Sequence, residues 1–285
     1  MNAVRTDLLA EGTVVSTSQV CAVLEVPRST AYYQPTRPEA KPELDEGLAF
    51  QVRSIIERFP TFGIRRVWAW LKHRMGVAAN RKKVARLMRL KGWTVKQRKA
   101  GLRPRVAVAK SVADRPDQRW STDIARVFCG RNDGWCAFTP VVDCCTRELL
   151  GWELSLTARA KAAERALESA LIGRFGWTRG APPGLILRSD NGLVFGSRQY
   201  MKLAREYGLG QEFITPYTPE ENGLVERFIR SFKEECAWLN NFDSLEQART
   251  VISKWADWYN TERPHQSLAY KTPKEVRQDH EKLAA

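Results

Sequence analysis

The sequence predicts an α/β fold in which a mixed five-stranded sheet with flanking helices follows an all-α N-terminal region. Up to about Gly92 the apolar residues recur at helical spacing, whereas from Asp114 onward they alternate or run continuously, as strands require. A chain of 285 residues is long enough for about two domains. Its 43% of hydrophobic residues, with ten Trp, argue for packed cores and against disorder.

Residues 1–38 are predicted to form a short helical segment. Ser18 is expected to cap a helix over QVCAVLEV, and Pro27 is expected to open a second helix over RSTAYY. Two short helices joined by a tight turn are typical of a helix-turn-helix, here with Arg28 facing DNA, but a plain helical hairpin explains the pattern equally well. Residues 39–47, EAKPELDEG, form a polar linker.

Residues 45–95 are predicted to form a basic helical DNA-binding domain. Asn80 and Gly92 suit the start and the end of its last helix, RKKVARLMRLKG, which we interpret as part of a second helix-turn-helix. We expect Trp68 and Trp70 to pack in the core of this domain and not to stack on bases. The candidate DNA-binding residues are Arg65, Arg66, Arg81, Lys82, Lys83, Arg86 and Arg89.

Positive charge is concentrated in one segment of the chain. The net charge is +14, and residues 58–113 hold 17 Lys and Arg with no Asp or Glu, so this segment carries the whole positive balance. Such a concentration indicates a surface that binds a polyanion, most simply nucleic acid. The alternative is a solvated basic face on an ordinary helical domain. Residues 96–113 are interpreted as a basic linker that follows a phosphate backbone.

The order of predicted elements after residue 114 defines the core. Strands are expected over residues 120–128, 135–143, 148–156, 185–187 and 211–215, with helices after the third, fourth and fifth strands. Three strands, helix, strand, helix, strand, helix is the ribonuclease H-like order, which does not by itself establish a function. The core therefore spans residues 114–240, and residues 241–285 add a C-terminal helix, capped by Ser244 and Gln247, and a tail packed on the core.

Three carboxylates within this core are candidates for a metal site. Asp123 lies in the first strand, Asp190 ends the fourth strand before an Asn-Gly turn, and Glu226 lies early in a helix, with 35 residues between Asp190 and Glu226. Converging carboxylate oxygens bind hard divalent cations, and a cluster of three can hold two ions about 3.5–4 Å apart. Each Asp alone is explained as well by a strand end or a turn, but the three together favour phosphodiester chemistry.

The helix that carries Glu226 is expected to begin with a capping box formed by Thr218 and Glu221. Helical spacing puts four polar residues on the face opposite the apolar stripe, and we expect this face to meet DNA. The alternative for the two cations among them is i,i+4 pairing on a solvated helix. These four residues are Asn222, Glu226, Arg230 and Lys233.

Five sequence words run in order from Trp120 to Pro273: WSTDIA, VVDCCTRELLGW, LRSDNG, TPYTPEENGLVERF and WYNTERPHQSLAYKTP. They resemble the DDE transposases and integrases with the retroviral-integrase core, and above all the larger reading-frame product of a bacterial insertion-sequence family. The resemblance implies that Asp123, Asp190 and Glu226 are catalytic metal ligands. It also implies that Lys233 contacts element-end DNA, and that the cofactor is magnesium, with manganese as a substitute.

The function that the resemblance implies is metal-dependent cleavage at insertion-sequence ends, followed by transfer of the freed 3′-hydroxyl into DNA. The implied partners are the terminal inverted repeats, target DNA, further copies of the chain on DNA, and the smaller upstream reading-frame product of the same element. Three alternatives remain open. The chain could be a ribonuclease H-like nuclease without strand transfer, or a domesticated DNA-binding protein. It could also be only part of the active enzyme, since members of the resembled family are often made as a frameshifted fusion with the smaller upstream product.

Composition also argues against other classes of protein. No apolar run approaches the ~18–20 residues of a membrane span, and the N-terminus lacks the apolar stretch of a signal peptide. We therefore expect a cytoplasmic, nucleoid-associated protein without a membrane partner. The six Cys form no CxxC pair and the three His lie far from them, so no zinc site is expected, unlike in retroviral integrases. His265 is expected to pack or to form hydrogen bonds.

Overall fold

The computed structural model describes residues 10–33, 44–95, 113–177, 180–216 and 218–284. They belong to two compact units, Met1–Asp45 and Glu46–Ala285. The basic linker predicted at residues 96–113 lies outside the described residues except for Ala113. None of the helices in the described ranges combines the length and hydrophobicity needed to cross a lipid bilayer.

Within its described residues, the first unit includes the short helices α1 (Thr17–Val23) and α2 (Arg28–Ala31). The prediction that Ser18 caps the first helix was wrong, because Ser16 forms a complete capping box with Gln19. The Ser16 hydroxyl accepts a hydrogen bond from the Gln19 N–H at 3.3 Å, and the Gln19 side chain accepts one from the Ser16 N–H at 2.9 Å. Pro27 precedes α2 as predicted, and Arg28 is exposed.

The second unit opens with three helices, α3 (Glu46–Arg58), α4 (Ile64–His73) and α5 (Arg81–Leu90). The Asn80 side chain accepts a hydrogen bond from the Lys82 N–H at 2.8 Å and so caps α5 as predicted. Gly92, with a φ of +71°, follows the last turn of α5, where a left-handed residue ends a helix most easily. The three helices bury a shared apolar stripe that includes Val52, Val67, Leu71, Val84 and Met88.

The sheet consists of β1 (Arg119–Thr122), β2 (Ala125–Phe128), β3 (Trp135–Asp143), β4 (Leu149–Ser155), β5 (Ile186–Ser189) and β6 (Gly210–Phe213). Strand β3 pairs in antiparallel fashion with β1, β2 and β4, whereas β1, β5 and β6 run parallel to one another. The sheet is therefore mixed: β2, β3, β1, β5 and β6 are paired in that order, and β4 also pairs with β3. Apart from one additional strand, the succession of strands and helices along the chain is the predicted ribonuclease H-like one.

The sixth strand arises because the first predicted strand, residues 120–128, is broken after Thr122. Strands β1 and β2 pair with successive parts of β3, with Trp120 opposite Asp143 and Ala125 opposite Phe138. At the break, the Asp123 carboxylate accepts a hydrogen bond from the N–H of Ile124 at 2.7 Å. A local side-chain hydrogen bond of this kind competes with the backbone hydrogen bonds between strands. Asp123 therefore lies where the strand is interrupted.

The remaining elements of the second unit are short or helical. Helix α6 (Gly130–Asp133) joins β2 to β3, α7 (Ala160–Phe175) follows β4, and α8 (Arg198–Glu206) follows β5. After β6 come a 3₁₀ turn (Pro219–Asn222), α9 (Gly223–Phe232), a π-helical turn (Lys233–Ala237), α10 (Leu245–Thr261), a second 3₁₀ turn (Gln266–Leu268) and α11 (Pro273–Ala284). Ser244 caps α10 as predicted, but the Gln247 side chain reaches back to the N–H of Asp243 and not to that of Ser244.

Two hydrophobic clusters hold this core together. One joins the sheet to α7 and α8 and includes Trp120, Leu167, Leu187 and Tyr200. The other joins the sheet to α9 and α10 and includes Phe138, Leu154, Phe232 and Trp255. Helix α9, which carries Glu226, is thus packed on the sheet through its apolar stripe, while Glu226 itself is exposed.

Candidate active site

The three predicted carboxylates line one open cleft. Asp123 lies in the break between β1 and β2, Asp190 directly follows β5, and Glu226 lies in the first turn of α9. Strands β1 and β5 are parallel neighbours, so residues that follow them lie at the same edge of the sheet. The cleft is also lined by Asn191, Gly192, Ile214, Pro216, Thr218 and Asn222.

The charges of these carboxylates act on one another. Burial, together with the charges of Asp190 and Glu226, raises the pKa of Asp123 to about 6. The hydrogen bond from the Ile124 N–H and the charge of Lys233 act in the opposite direction. Carboxylates placed this close disfavour one another's ionisation, so the cleft is a place where positive charge is stabilised.

The donor set of the cleft fits a hard divalent cation, because carboxylate oxygens are the ligands that such ions prefer. The N–H of Gly192 donates to Oδ1 of Asp190 at 2.9 Å, which orients that carboxylate. A Cβ at Gly192 would lie 2.8 Å from the same oxygen, so the Asn-Gly turn also allows the close approach. Among the described residues, no three His, Cys, Asp or Glu side chains are grouped closely enough to hold a metal ion.

Asn222 anchors the start of the Glu226 helix to the strand that precedes Asp123. Its side-chain oxygen accepts a hydrogen bond from the hydroxyl of Ser121 at 2.5 Å, and its amide nitrogen donates to the carbonyl of Thr122 at 3.3 Å. The residue is only 3% exposed. The prediction that Asn222 faces DNA is therefore corrected: residues 219–222 form a 3₁₀ turn, and this turn directs the amide into the protein.

A second anchor joins the strand that precedes Asp190 to the same 3₁₀ turn. The buried guanidinium of Arg188 donates to the carbonyl of Glu221 at 2.7 Å and pairs with Glu212 at 2.9 Å. Sequence reasoning missed Arg188, although a charged residue inside the apolar run LILRSD was a usable indication. The predicted capping box of Thr218 and Glu221 was wrong, because the Glu221 carboxylate instead accepts two hydrogen bonds from Thr215.

The two basic residues predicted beside Glu226 differ in their surroundings. Lys233 begins the π-helical turn and is close enough to Asp123 for its charge to lower the pKa of that carboxyl. Arg230 is half-exposed and pairs with Glu234 at 3.0 Å, which is the i,i+4 alternative considered for it. Of the two residues, Lys233 is therefore the one whose charge acts on a carboxylate of the cleft.

The basic residues predicted in the three-helix region separate into two groups. Arg65 is exposed and donates to Gln266 at 3.0 Å. Arg66 was predicted to bind DNA. Its side chain is instead mostly buried and pairs with the buried carboxylate of Glu235. The five predicted basic side chains of α5 are all exposed: Arg81, Lys82, Lys83, Arg86 and Arg89.

Comparison with known proteins agrees with this architecture. Two family models described as integrase core domains match residues 113–219 and 207–273, and a model described as an HTH-like domain matches residues 43–101. The chain is 30% identical over 244 residues to the transposase InsD of insertion element IS2 in Escherichia coli, across 81% of this chain and 78% of that protein. The transposase InsD of IS2-9 in Escherichia coli K12 is also 30% identical over 244 residues.

Solved retroviral integrase cores are also similar in structure. The catalytic core of BIV integrase matches 59% of this chain and 98% of that chain, with 20% identity and a TM-score of 0.43. The HTLV-2 integrase core in complex with magnesium matches 57% of this chain and 97% of that chain, with 18% identity and a TM-score of 0.41.

The helix-turn-helix-like region and the integrase core together define a protein of the transposase and integrase class. The chain belongs to the insertion-sequence transposases that include InsD of IS2. The family inferred from the five sequence words is thereby confirmed.

Proposed function

We propose that this chain cleaves DNA at the ends of an insertion sequence and joins the freed 3′-hydroxyl ends to target DNA. The observation that carries the proposal is the meeting of Asp123, Asp190 and Glu226 in one cleft of an integrase core, where burial and the charges of the other two carboxylates raise the pKa of Asp123 to about 6. Membership in a transposase family supports the choice of DNA ends as the substrate.

The same three residues would hold divalent cations, which we take to be magnesium with manganese as a substitute. When bound, such a pair of ions activates the attacking oxygen and stabilises the leaving oxygen of a phosphodiester. The residues contribute six carboxylate oxygens to this site. Asn222 and Arg188 hold the elements that carry them at a common edge of the sheet.

Two displacements at phosphorus follow at this cleft. In the first, a water molecule loses a proton and attacks the phosphodiester at the element end, and the bond from phosphorus to the 3′-oxygen breaks to leave a 3′-hydroxyl. In the second, that hydroxyl loses its proton and attacks a target phosphodiester. A new bond from phosphorus to the 3′-oxygen forms, and the displaced target 3′-oxygen takes up a proton. No covalent bond to the protein is needed in either step.

DNA is held outside the cleft by basic side chains. The exposed cations of α5 would neutralise phosphates and place that helix on the terminal repeat, and Lys233 would contact the end next to the carboxylates. Arg28 of the first unit would add a further contact. Joining two ends requires at least two copies of the chain on DNA, and the upstream reading-frame product is a candidate partner for end specificity.

Cleavage and joining of a labelled element-end duplex in magnesium test this proposal. Wild type should give both a nicked and a joined product, and Glu226→Gln should give neither while its DNA affinity stays within a few-fold. Nicking without joining would support the ribonuclease H-like nuclease instead. A third outcome is DNA binding that is equal for wild type and Glu226→Gln, with no cleavage even when the upstream product is added. That outcome would support the domesticated DNA-binding protein.

A further inference from the structure

Three charged side chains from distant parts of the chain meet at one buried point. Arg263 donates two hydrogen bonds to the Glu235 carboxylate, at 2.6 Å and 2.7 Å, and Arg66 donates a third at 2.5 Å. The side chains of Glu235 and Arg263 are only 3% and 7% exposed. Arg66 belongs to α4, Glu235 to the π-helical turn and Arg263 to the segment after α10, so one carboxylate joins three elements.

The charges in this cluster stabilise one another. Burial acts to raise the pKa of Glu235, but the charges of Arg263 and Arg66 bring it below its ordinary value. Glu235 also raises the pKa of Arg263 against the effect of burial. A carboxylate held ionised by two guanidinium groups has fixed geometry, because its hydrogen bonds restrict the directions from which the two Arg can approach.

The position of Glu235 relates this cluster to the cleft. Glu235 lies two residues after Lys233, in the π-helical turn that directly continues the helix of Glu226. π-Helical turns occur often at functional sites. The helix is therefore held at its start by Asn222, which bonds to β1, and at its end by Glu235, which bonds to Arg66 and Arg263.

The segment WYNTERPHQSLAY, residues 258–270, makes further contacts with the helical region that contains Arg66. Trp258 stacks on Phe59 with ring centroids 5.4 Å apart, and Tyr270 meets Trp68 edge-on at 5.6 Å. An ion pair between Arg58 and Glu262 at 3.4 Å adds to these. No role for this segment was predicted from the sequence. In the structure it forms an interface between the helical region and the integrase core.

We propose that Arg66, Glu235 and Arg263 form a clamp that fixes the DNA-binding helices relative to the helix of Glu226. An element end bound by α5 would then reach the carboxylates in one defined placement. The inference rests on the proposed function, and it makes the three residues positioning residues that need not touch DNA. Small errors of placement lower rates strongly, since a misplacement of about 1 Å can cost on the order of a hundredfold.

Arg66→Ala tests the clamp, because it removes the link to the helical region and leaves the pair of Glu235 and Arg263 in place. Two substrates are compared: an element-end duplex, and a supercoiled plasmid without element ends. End cleavage should fall by about tenfold or more, while plasmid nicking stays within about twofold and affinity for the end within a few-fold. Arg66→Lys keeps the charge and should restore part of the end cleavage.

Arg58→Ala is the matched control, because Arg58 makes an exposed ion pair across the same interface. It should leave both activities unchanged, since exposed pairs contribute little. Equal loss of both activities in Arg66→Ala would show general destabilisation and overturn the clamp, as would unchanged end cleavage.

Amide hydrogen exchange tests the clamp without activity. Arg66→Ala should speed exchange in both α4 and residues 233–237, and Arg58→Ala in neither. Exchange unchanged at residues 233–237 in Arg66→Ala would contradict the clamp. If wild type cleaves neither substrate, the proposed function fails, but the exchange experiment still decides whether the two regions are coupled.

Discussion

The side-chain oxygen of Asn222 lies 2.5 Å from the hydroxyl of Ser121, and both residues are buried. Ser121 is two residues before Asp123, and Asn222 is four residues before Glu226. One contact thus ties the strand of one carboxylate to the helix of another. Arg188, two residues before Asp190, makes a similar link to the carbonyl of Glu221, so each carboxylate is positioned by a residue close to it in sequence.

Asn222→Ala should destabilise the protein, because it leaves the buried hydroxyl of Ser121 without its acceptor. A group left unsatisfied in this way costs about 1–3 kcal/mol in the free energy of unfolding, measurable by urea denaturation. Ser121→Ala combined with Asn222→Ala should cost less than the sum of the two single changes. Strict additivity of the two would mean that the contact contributes nothing.

Asp123 should make the stability of the metal-free protein depend on pH. Its folded-state pKa of about 6 lies above its ordinary value of 3.8, so between these values the folded protein binds more protons than the unfolded chain. The free energy of unfolding should therefore contain a contribution that is present at low pH and is lost as the pH rises through about 6. Asp123→Asn should remove this decline in thermal melts recorded with a chelator. Parallel curves of melting temperature against pH for wild type and Asp123→Asn would rule out the raised pKa of Asp123.

Lys233 and Arg230 should differ in their effect on end cleavage. Lys233→Ala removes the cation that acts on Asp123, whereas Arg230→Ala removes one partner of a half-exposed ion pair with Glu234. We expect Lys233→Ala to weaken cleavage of an element-end duplex by about tenfold and Arg230→Ala to have little effect. Equal losses in the two variants would place Arg230 on the DNA as well.

Charge reversal on α5 should reduce the salt dependence of DNA binding. The logarithm of the affinity falls by roughly 0.9 per phosphate neutralised for each logarithmic unit of salt, so removing contacts flattens the slope. Reversal of Arg81, Lys82 and Arg86 should flatten it, and reversal of the exposed Lys274 and Lys282 of α11 should not. An unchanged salt slope in the first variant would show that the DNA-binding surface does not include these residues of α5.

The sequence predicted the succession of strands and helices and the three carboxylates, because both depend on local patterns. Alternation of apolar residues indicates strands, and an acid at the end of a buried run is visible in the sequence alone. The break after Thr122 was missed because it depends on a bond from the Asp123 side chain to the neighbouring N–H, which the apolar pattern of the run conceals.

Polar residues whose partners are distant in sequence were predicted less well. Helical spacing put Asn222 on the face of Glu226, but a 3₁₀ turn directs it to Ser121, which is 101 residues away. Arg66 was assigned to DNA with its basic neighbours, but it pairs with Glu235, which is 169 residues away. Periodicity indicates which side of a helix or strand a residue occupies. It does not indicate which distant polar or charged residue the fold places next to it.

A mobility assay in cells shows whether the carboxylate cleft of this chain cuts and joins DNA. A donor would carry a marker between the DNA flanks of this gene, with the upstream reading frame supplied, and wild type would be compared with Asp190→Asn and Glu226→Gln. Excised circles or new insertions are expected with wild type alone. Events at the wild-type frequency with either variant would contradict the assignment of the carboxylate cleft as the site that cuts and joins DNA.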